Sequence, residues 1–324
     1  MGKKWLRSVG YLAGAAALGA GVSYCTAKIL IDAALDRRKP RIMQKAESVF
    51  AGRAPEKEIL QQAKEASERL AAAEHETVTV TARDGETLVG HWIPVENPQR
   101  IILAMHGWRS SWNRDFSMIS PFWRENGCSV LYAEQRGQNN SGGAAMGFGL
   151  IERFDCLDWI EFLRAREGDT LPIYLAGLSM GATTVLMAAG EELPPAVHGV
   201  MADCGFTSPQ AIMKHVLNKN LHLSYAPMRR MAEMMFRQKT AVDINEYSTL
   251  DAMKTTRLPI LFIHGSDDHF VPVWMTFENY RACGSPKTLL IVPGADHGLS
   301  YLKEKERYEA AVLDFWKRYD KISP

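Results

Sequence analysis

Apolar and polar residues alternate along most of the chain in a way that predicts β-strands separated by α-helices. Eight short runs of β-branched and aliphatic residues recur from Thr77 onward, and stretches with helical spacing separate most of them. We therefore expect an α/β domain with an eight-stranded, mostly parallel sheet and helices on both faces. The first two runs, joined at Asp84-Gly85, are expected to form an antiparallel hairpin. The predicted strands are Thr77 to Thr81, Thr87 to Trp92, Ile101 to Met105, Ser129 to Ala133, Ile173 to Ala176, Gly199 to Ala202, Ile260 to Ile263 and Thr288 to Val292.

A helical insertion is expected between the sixth and seventh strands, because residues 209–257 are more than a sheet crossover needs. This segment carries many methionines and other large apolar residues among basic ones. These residues indicate either the buried faces of helices that pack on the domain or a cap over a site. A cap that packs on the domain and also lines a pocket would satisfy both interpretations. We assign residues 77–324 to the main domain, with 209–257 as its helical cap.

The N-terminal 35 residues show a different pattern. Val9 to Ala27 contains no charged residue and follows Lys3, Lys4 and Arg7, so these nineteen residues approach the length that spans a bilayer. A secretory signal is the alternative, but a small-x-small cleavage site is not evident. We therefore expect residues 1–35 to be an uncleaved single-pass anchor that places the protein at a membrane, on a side that the sequence leaves open.

The distribution of charge agrees with a membrane neighbour. The chain has 38 Lys and Arg and 37 Asp and Glu, a net charge of +1, but up to Lys45 nine basic residues face two acidic ones. Such a basic collar suits anionic lipid headgroups. Residues 36–76 are charged and rich in alanine, and we predict that they form a helical linker between the anchor and the main domain.

The fifth predicted strand runs directly into the sequence Gly-x-Ser-x-Gly, and small, helix-forming residues follow. A serine on such a tight strand-to-helix turn is held in strained backbone geometry with its hydroxyl exposed, and the flanking glycines remove side chains that would clash. Ser179 is therefore a candidate nucleophile. A serine hydroxyl needs a base and an acid that orients the base, and after such a turn the acid comes before the histidine.

Two later strands end in loops that carry these residue types. Asp267 and Asp268 follow the seventh strand, and His297 follows the eighth, at the sheet edge where chemistry occurs in open α/β sheets. With these loops the chain resembles the α/β-hydrolase superfamily, in particular a branch of bacterial membrane-anchored serine esterases and S9-like hydrolases, from about Thr77 to the C-terminus. The resemblance implies that Ser179 is the nucleophile, His297 the base and Asp268 the orienting acid, with Asp267 as the alternative acid.

The resemblance also implies an oxyanion hole. The backbone N–H of Met180, directly after the nucleophile, is one donor, and the His-Gly loop after the third strand supplies the N–H of Trp108 as the second. His106 in that loop is interpreted as a hydrogen-bonding residue of the loop rather than a catalytic one, and the same holds for His264. In a further loop of the family, Asn139 stands where relatives carry glycine, and asparagine tolerates the left-handed backbone that this turn requires.

These features lead to one main hypothesis and several alternatives. We expect a serine hydrolase that cleaves carboxylic esters, small or lipid-like, through an acyl-enzyme, with no cofactor and no metal. A peptidase or amidase and a thioesterase share the same triad, and a non-catalytic membrane-tethered binding domain is the alternative of another class. No nucleic-acid-binding pattern is present, the oligomeric state is open, and the five cysteines show no Cys-x-x-Cys pair, which indicates free, mostly buried thiols.

Overall fold

A computed structural model describes residue 19 and residues 21–38 and 57–320 of the chain. All eight predicted strands are present in one sheet, in the order β1-β2-β4-β3-β5-β6-β7-β8. β1 pairs antiparallel with β2, and β2 antiparallel with β4, whereas every later neighbour is parallel. The prediction of a mostly parallel eight-stranded sheet is confirmed. The strands are β1 (Glu76–Thr81), β2 (Thr87–Ile93), β3 (Arg100–Met105), β4 (Cys128–Ala133), β5 (Ile173–Leu178), β6 (Val197–Asp203), β7 (Ile260–Gly265) and β8 (Lys287–Val292).

Helices cover both faces of this sheet. Residues 21–35 form a helix that we call α1. The helices after it are α2 (Lys57–Ala72), α3 (Trp112–Phe116), α4 (Ser120–Glu125), α5 (Glu152–Glu167), α6 (Met180–Ala188), α7 (Pro209–His215), α8 (Arg229–Thr240), α9 (Thr249–Thr255), α10 (Trp274–Ala282), α11 (Ser300–Lys303) and α12 (Lys305–Tyr319).

The central strands are buried on both faces, and alternate residues along each strand enter opposite cores. On β3, Ile101 and Leu103 join a cluster with α5, α6 and α9. Ile102 and Ala104 instead join a cluster with α3, α4 and α12. All six residues of β3 are buried, which explains why the five residues after Arg100 form a continuous apolar run in the sequence.

A third apolar cluster lies above the C-terminal ends of the strands. It combines α1, α7 and α8 with residues of the strand-end loops. The predicted cap, residues 209–257, contains α7, a π-helical turn at Val216–Asn220, a 3₁₀ turn at Ala226–Met228, α8 and α9. Of these elements, α9 packs beside α6 under the sheet through Ala252 and Met253.

Helix α1 corrects the expectation for the N-terminus. Ala27 and Ile31 are buried against the domain, and Leu35 is completely buried. Within the described ranges, no helix combines the length and the apolar character needed to cross a bilayer. The predicted single-pass anchor and the membrane localisation that depends on it are therefore wrong, because the apolar face of α1 contacts protein. Residues 1–18 and 20, which include most of the uncharged stretch from Val9, lie outside the described residues.

The predicted linker, residues 36–76, is described in part. Residues 39–56 lie outside the described residues, whereas α2 packs on the domain through Leu70. The side-chain amide of Asn113 donates to the Ser67 hydroxyl at 2.8 Å, which fixes α2 next to α3.

Candidate active site

Ser179 lies on a sharp turn between β5 and α6. Its φ of 55° and ψ of −114° are strained for a residue with a side chain. The turn is possible because two glycines allow very close backbone approaches: a Cβ on Gly181 would lie 1.8 Å from the carbonyl oxygen of Met105, and one on Gly177 would lie 2.3 Å from that of Gly181. The amide of Ser179 donates to the carbonyl of Asp203 at 2.8 Å, which ties the turn to β6.

The loops after β7 and β8 bring the two other predicted side chains to this serine. The Ser179 hydroxyl donates to Nε2 of His297 at 2.9 Å, and Nδ1 of His297 donates to Oδ2 of Asp268 at 2.7 Å. The three residues thus form one continuous hydrogen-bonded chain, although 89 residues separate Ser179 from Asp268 in the sequence. Asp267, the alternative acid, is exposed and accepts a hydrogen bond from Ser266 instead.

Asp268 is held rigidly in a buried position. Its Oδ1 accepts the backbone amides of Phe270 at 2.9 Å and Val271 at 2.8 Å. Its Oδ2 also accepts a hydrogen bond from a second imidazole, because Nε2 of His264 lies 3.1 Å away. Burial alone would raise the pKa of Asp268, but the charge of His297 and the hydrogen bonds from both histidines hold the pKa well below its usual range. The carboxylate is therefore ionised throughout the neutral range.

The pKa of His297 moves in the opposite direction. Burial favours the neutral ring and lowers the pKa, but the negative charge of Asp268 outweighs this effect and raises the pKa well above 6.5. The thiol of Cys204, on the loop after β6, lies beside the same ring, and burial raises the pKa of this thiol to about 11. Cys204 therefore stays protonated at neutral pH.

Cys204, Asp268 and His297 are also the one group of three metal-ligand types that lie together in the part of the chain described, with their ligand atoms within 4.8 Å of one another. Two of the three are already engaged with each other, because Nδ1 of His297 bonds Asp268. A metal ion here would have to break that hydrogen bond.

The loop after β3 passes directly beside Ser179. A Cβ on Gly107 would lie 3.4 Å from Cβ of Ser179, and the Gly107 amide is fixed by Asp115 at 2.7 Å. Trp108 is the next residue of this loop. Met180 is the first residue of α6, and the backbone amides of a first helical turn have no partner within the helix. Both predicted oxyanion donors thus belong to backbone segments next to Ser179.

The two other histidines that the sequence singled out bind the loops. Nε2 of His106 accepts the amide of Gln135 at 3.1 Å, and its Nδ1 donates to the carbonyl of Gly107 at 2.8 Å. Asn139, in the same region, has a φ of 48°, the left-handed conformation that the sequence indicated. Nε2 of His264 contacts Oδ2 of Asp268, the same carboxylate oxygen that His297 binds, so it helps to hold this side chain in place.

Two cavities meet at Ser179. One, of about 90 Å³, lies between α1, α7, α8 and the aromatic side chains of the strand-end loops, and no charged residue occurs among its described lining residues. The other is a groove of about 690 Å³ that extends from His297 past Arg114 and Asp203 toward α2. The serine therefore lies between a narrow apolar pocket and a wider, partly polar groove.

Sequence reasoning missed the contribution of α1 to the first cavity. Ala27, Leu30, Ile31 and Ala34 line this cavity at a spacing of three or four residues, which places them on one face of a helix. That spacing was visible in the sequence, but it lay inside a stretch interpreted as a membrane anchor. The position of Cys204 beside His297 left no comparable signal in the sequence.

Similarities to known proteins agree with this architecture. The Bacillus subtilis protein YqkD is 28 % identical over 225 residues, which cover 69 % of this chain and 73 % of that relative. The esterase Pf2001 of Pyrococcus furiosus matches with a TM-score of 0.63 at 21 % identity, over 78 % of this chain and 95 % of that one. The acylaminoacyl peptidase of Pyrococcus horikoshii matches with a TM-score of 0.57 at 18 % identity, over 77 % of this chain and 42 % of that one. At these identities the two structures show a shared fold.

The sequence profile of the prolyl oligopeptidase family, Peptidase_S9, matches residues 114–322, which is more than half of the chain. This region contains Ser179, Asp268 and His297, whereas α1 and the loop with Trp108 precede it. The chain therefore belongs to the prolyl oligopeptidase family and is a serine hydrolase of the α/β-hydrolase fold.

Proposed function

We propose that this serine hydrolase cleaves carboxylic esters through an acyl-enzyme formed on Ser179. The observation that carries the proposal is the continuous hydrogen-bonded chain from Asp268 through His297 to Ser179, with distances of 2.7 and 2.9 Å. A neutral imidazole whose Nδ1–H is engaged by a carboxylate presents its Nε2 lone pair to the serine, as a general base requires.

The proposed reaction has two acyl transfers. Oγ of Ser179 bonds to the carbonyl carbon of the ester while its proton passes to Nε2 of His297. The amides of Met180 and Trp108 hold the oxyanion of the tetrahedral intermediate. The bond from the carbonyl carbon to the alcohol oxygen then breaks, and His297 returns the proton to that oxygen. Water repeats these steps on the acyl-enzyme, which releases the carboxylic acid and restores Ser179.

The apolar cavity beside Ser179 favours an ester with a hydrocarbon acyl group. The cavity is lined by aliphatic and aromatic side chains and by no charged one within the described residues. A polar acyl group would lose hydrogen bonds to water there without replacement. Hydrolysis of a peptide or other amide is the second candidate, because the family is a peptidase family and the wider groove offers Arg114 and Asp203 as polar contacts.

The test compares esters with amides on the wild type and on Ser179→Ala. We expect hydrolysis of p-nitrophenyl esters by the wild type, weak or absent cleavage of aminoacyl anilides, and loss of both ester turnover and fluorophosphonate labelling in Ser179→Ala. Ser224→Ala, at an exposed serine of the cap, is the matched control and should behave as the wild type. Preferred cleavage of anilides would establish the peptidase alternative, and labelling that persists in Ser179→Ala would overturn the assignment of the nucleophile.

A further inference from the structure

Helix α1 is part of the wall of the apolar cavity beside the nucleophile. Ala27, Leu30, Ile31 and Ala34 lie on one helix face and all line the cavity, together with Ser179. The opposite face of α1 is in solvent, since Ile29 is 47 % exposed. The helix therefore presents its apolar face to the cavity.

The C-terminal end of α1 is bound to the loop that carries Trp108. The indole N–H of Trp108 donates to the carbonyl of Ala34 at 2.8 Å. The guanidinium of Arg109 donates to the carbonyls of Ala33 at 2.8 Å and Asp36 at 2.6 Å. The last carbonyls of a helix have no partner within it, and a cation at this end is favourable for the helix dipole. These bonds place the Ala34 end of α1 near the predicted oxyanion donor.

A second set of contacts binds α1 to the cap. Lys239 of α8 forms ion pairs with Asp32 at 3.0 Å and with Asp36 at 2.5 Å. Ile31 and Leu35 pack in the same apolar cluster as Phe236 of α8. The helix is thus held on two sides, by the loop after β3 and by the cap.

We propose that α1 is the wall that limits the length of the substrate's acyl chain, so that the enzyme selects esters of medium-length fatty acids. This inference rests on the proposed function, and it assigns to the first cavity the role of an acyl-chain pocket. The acyl carbonyl binds beside Ser179 and Trp108, and the hydrocarbon chain runs along α1 from Ala34 toward Ala27.

The geometry of α1 gives the length of chain that this wall accommodates. Ala34 and Ala27 are seven residues apart, which corresponds to about 10 Å along a helix axis. An extended chain advances by about 3.8 Å for every three bonds. About eight bonds of an extended acyl chain therefore span this wall. An octanoyl group, with its seven C–C bonds, is the longest acyl chain of even carbon number that fits within it.

The decisive experiment measures kcat/KM for p-nitrophenyl acetate, butyrate, hexanoate, octanoate, decanoate and laurate. For the wild type, kcat/KM should rise from acetate to octanoate, by up to about fourfold per methylene, and fall beyond it. Ala27→Phe fills the far end of the pocket, so it should lower the ratio of octanoate to acetate turnover about tenfold or more and move the optimum to shorter chains. Ile29→Phe adds the same ring on the exposed face and should leave the profile unchanged.

The comparison separates this inference from the proposed function. A ratio between two substrates does not depend on the fraction of enzyme that is folded, so loss of stability in Ala27→Phe cannot imitate the expected shift. An unchanged profile in Ala27→Phe, or an equal shift in Ile29→Phe, would overturn the role of α1. If the wild type cleaves amides rather than esters, the proposed function fails, but the role of α1 can still be tested by the rates at which ethyl and octyl fluorophosphonates label the enzyme. Faster labelling by the octyl probe that Ala27→Phe abolishes would support the α1 wall. Equal labelling rates for the two probes would refute it.

Discussion

Replacement of Asp268 by asparagine tests the chemistry of the site most directly. The Asn side chain keeps its size, and its carbonyl oxygen can still accept the amides of Phe270 and Val271. Its NH₂ group would then face Nδ1 of His297, which now lies 2.7 Å from a carboxylate oxygen. Two donors cannot pair, so the imidazole would expose its Nδ1 lone pair to the amide and hold its proton on Nε2, which faces the serine.

The magnitude follows from the charge that is lost. Opposite charges about 4 Å apart interact by about 4 kcal/mol at an effective dielectric constant near 20. Since the imidazolium forms in the transition state, loss of this attraction alone should lower kcat about 10³-fold, and the wrong tautomer adds to the loss. We therefore expect kcat of Asp268→Asn to fall by about 10³- to 10⁴-fold at the pH optimum of the wild type.

The assay is ester hydrolysis as a function of pH, with thermal unfolding to verify the fold. Asp267→Asn is the matched control on the same loop, because Asp267 is exposed and its carboxylate accepts a hydrogen bond from Ser266 rather than from a histidine. It should keep nearly full activity. Activity of Asp268→Asn within tenfold of the wild type, or an equal loss in Asp267→Asn, would refute the assignment of the acid.

Two further predictions concern pH and stability. Asp268 raises the pKa of His297, so protonation of this base should remove activity as the pH falls through the raised pKa. The acid limb of the pH profile of kcat/KM should therefore have its midpoint above pH 6.5, and a midpoint below that value would contradict the geometry. Leu35→Ala deletes a completely buried side chain of α1 and should lower the free energy of unfolding by about 2–5 kcal/mol in denaturant titrations. Leu313→Ala, at a site 44 % exposed, should cost far less, and a loss in Leu35→Ala as small as the one expected for Leu313→Ala would contradict the packing of α1 on the domain.

The sheet was predictable because its strands obey simple rules of burial. A strand such as β3, covered on both faces, must consist almost entirely of apolar residues, and it therefore differs from the amphipathic helices around it. The edge hairpin was recognised through Asp84-Gly85, where Gly85 has a φ of 89°. The bounds differ from those predicted by at most a few residues, because strand ends depend on hydrogen bonds to neighbours that a single segment does not reveal.

The candidate site was predictable where local backbone geometry dictates the residue type. Gly181 is required because any side chain there would collide with the carbonyl of Met105, and this requirement explains the second glycine of the sequence Gly-x-Ser-x-Gly. The second imidazole on Asp268 could not be predicted in this way. His264 reaches the carboxylate only because β7 ends next to the loop that carries Asp268, and this proximity is a property of the tertiary structure.

The N-terminal helix shows why an apolar stripe in a sequence does not identify what the stripe packs against. Hydrophobic spacing indicates that one face of α1 avoids water, and lipid, a protein core or a substrate pocket satisfies that face equally well. What distinguishes these cases is the polar groups at the helix end. Asp32 and Asp36 pair with Lys239 of the cap, and the last carbonyls of α1 bind Arg109. Carboxylates placed within an apolar segment are costly in lipid, whereas a cationic partner at a fixed distance stabilises them on a protein surface. The acidic residues beside and after the stripe, rather than its hydrophobicity, therefore indicate that this helix packs on the enzyme.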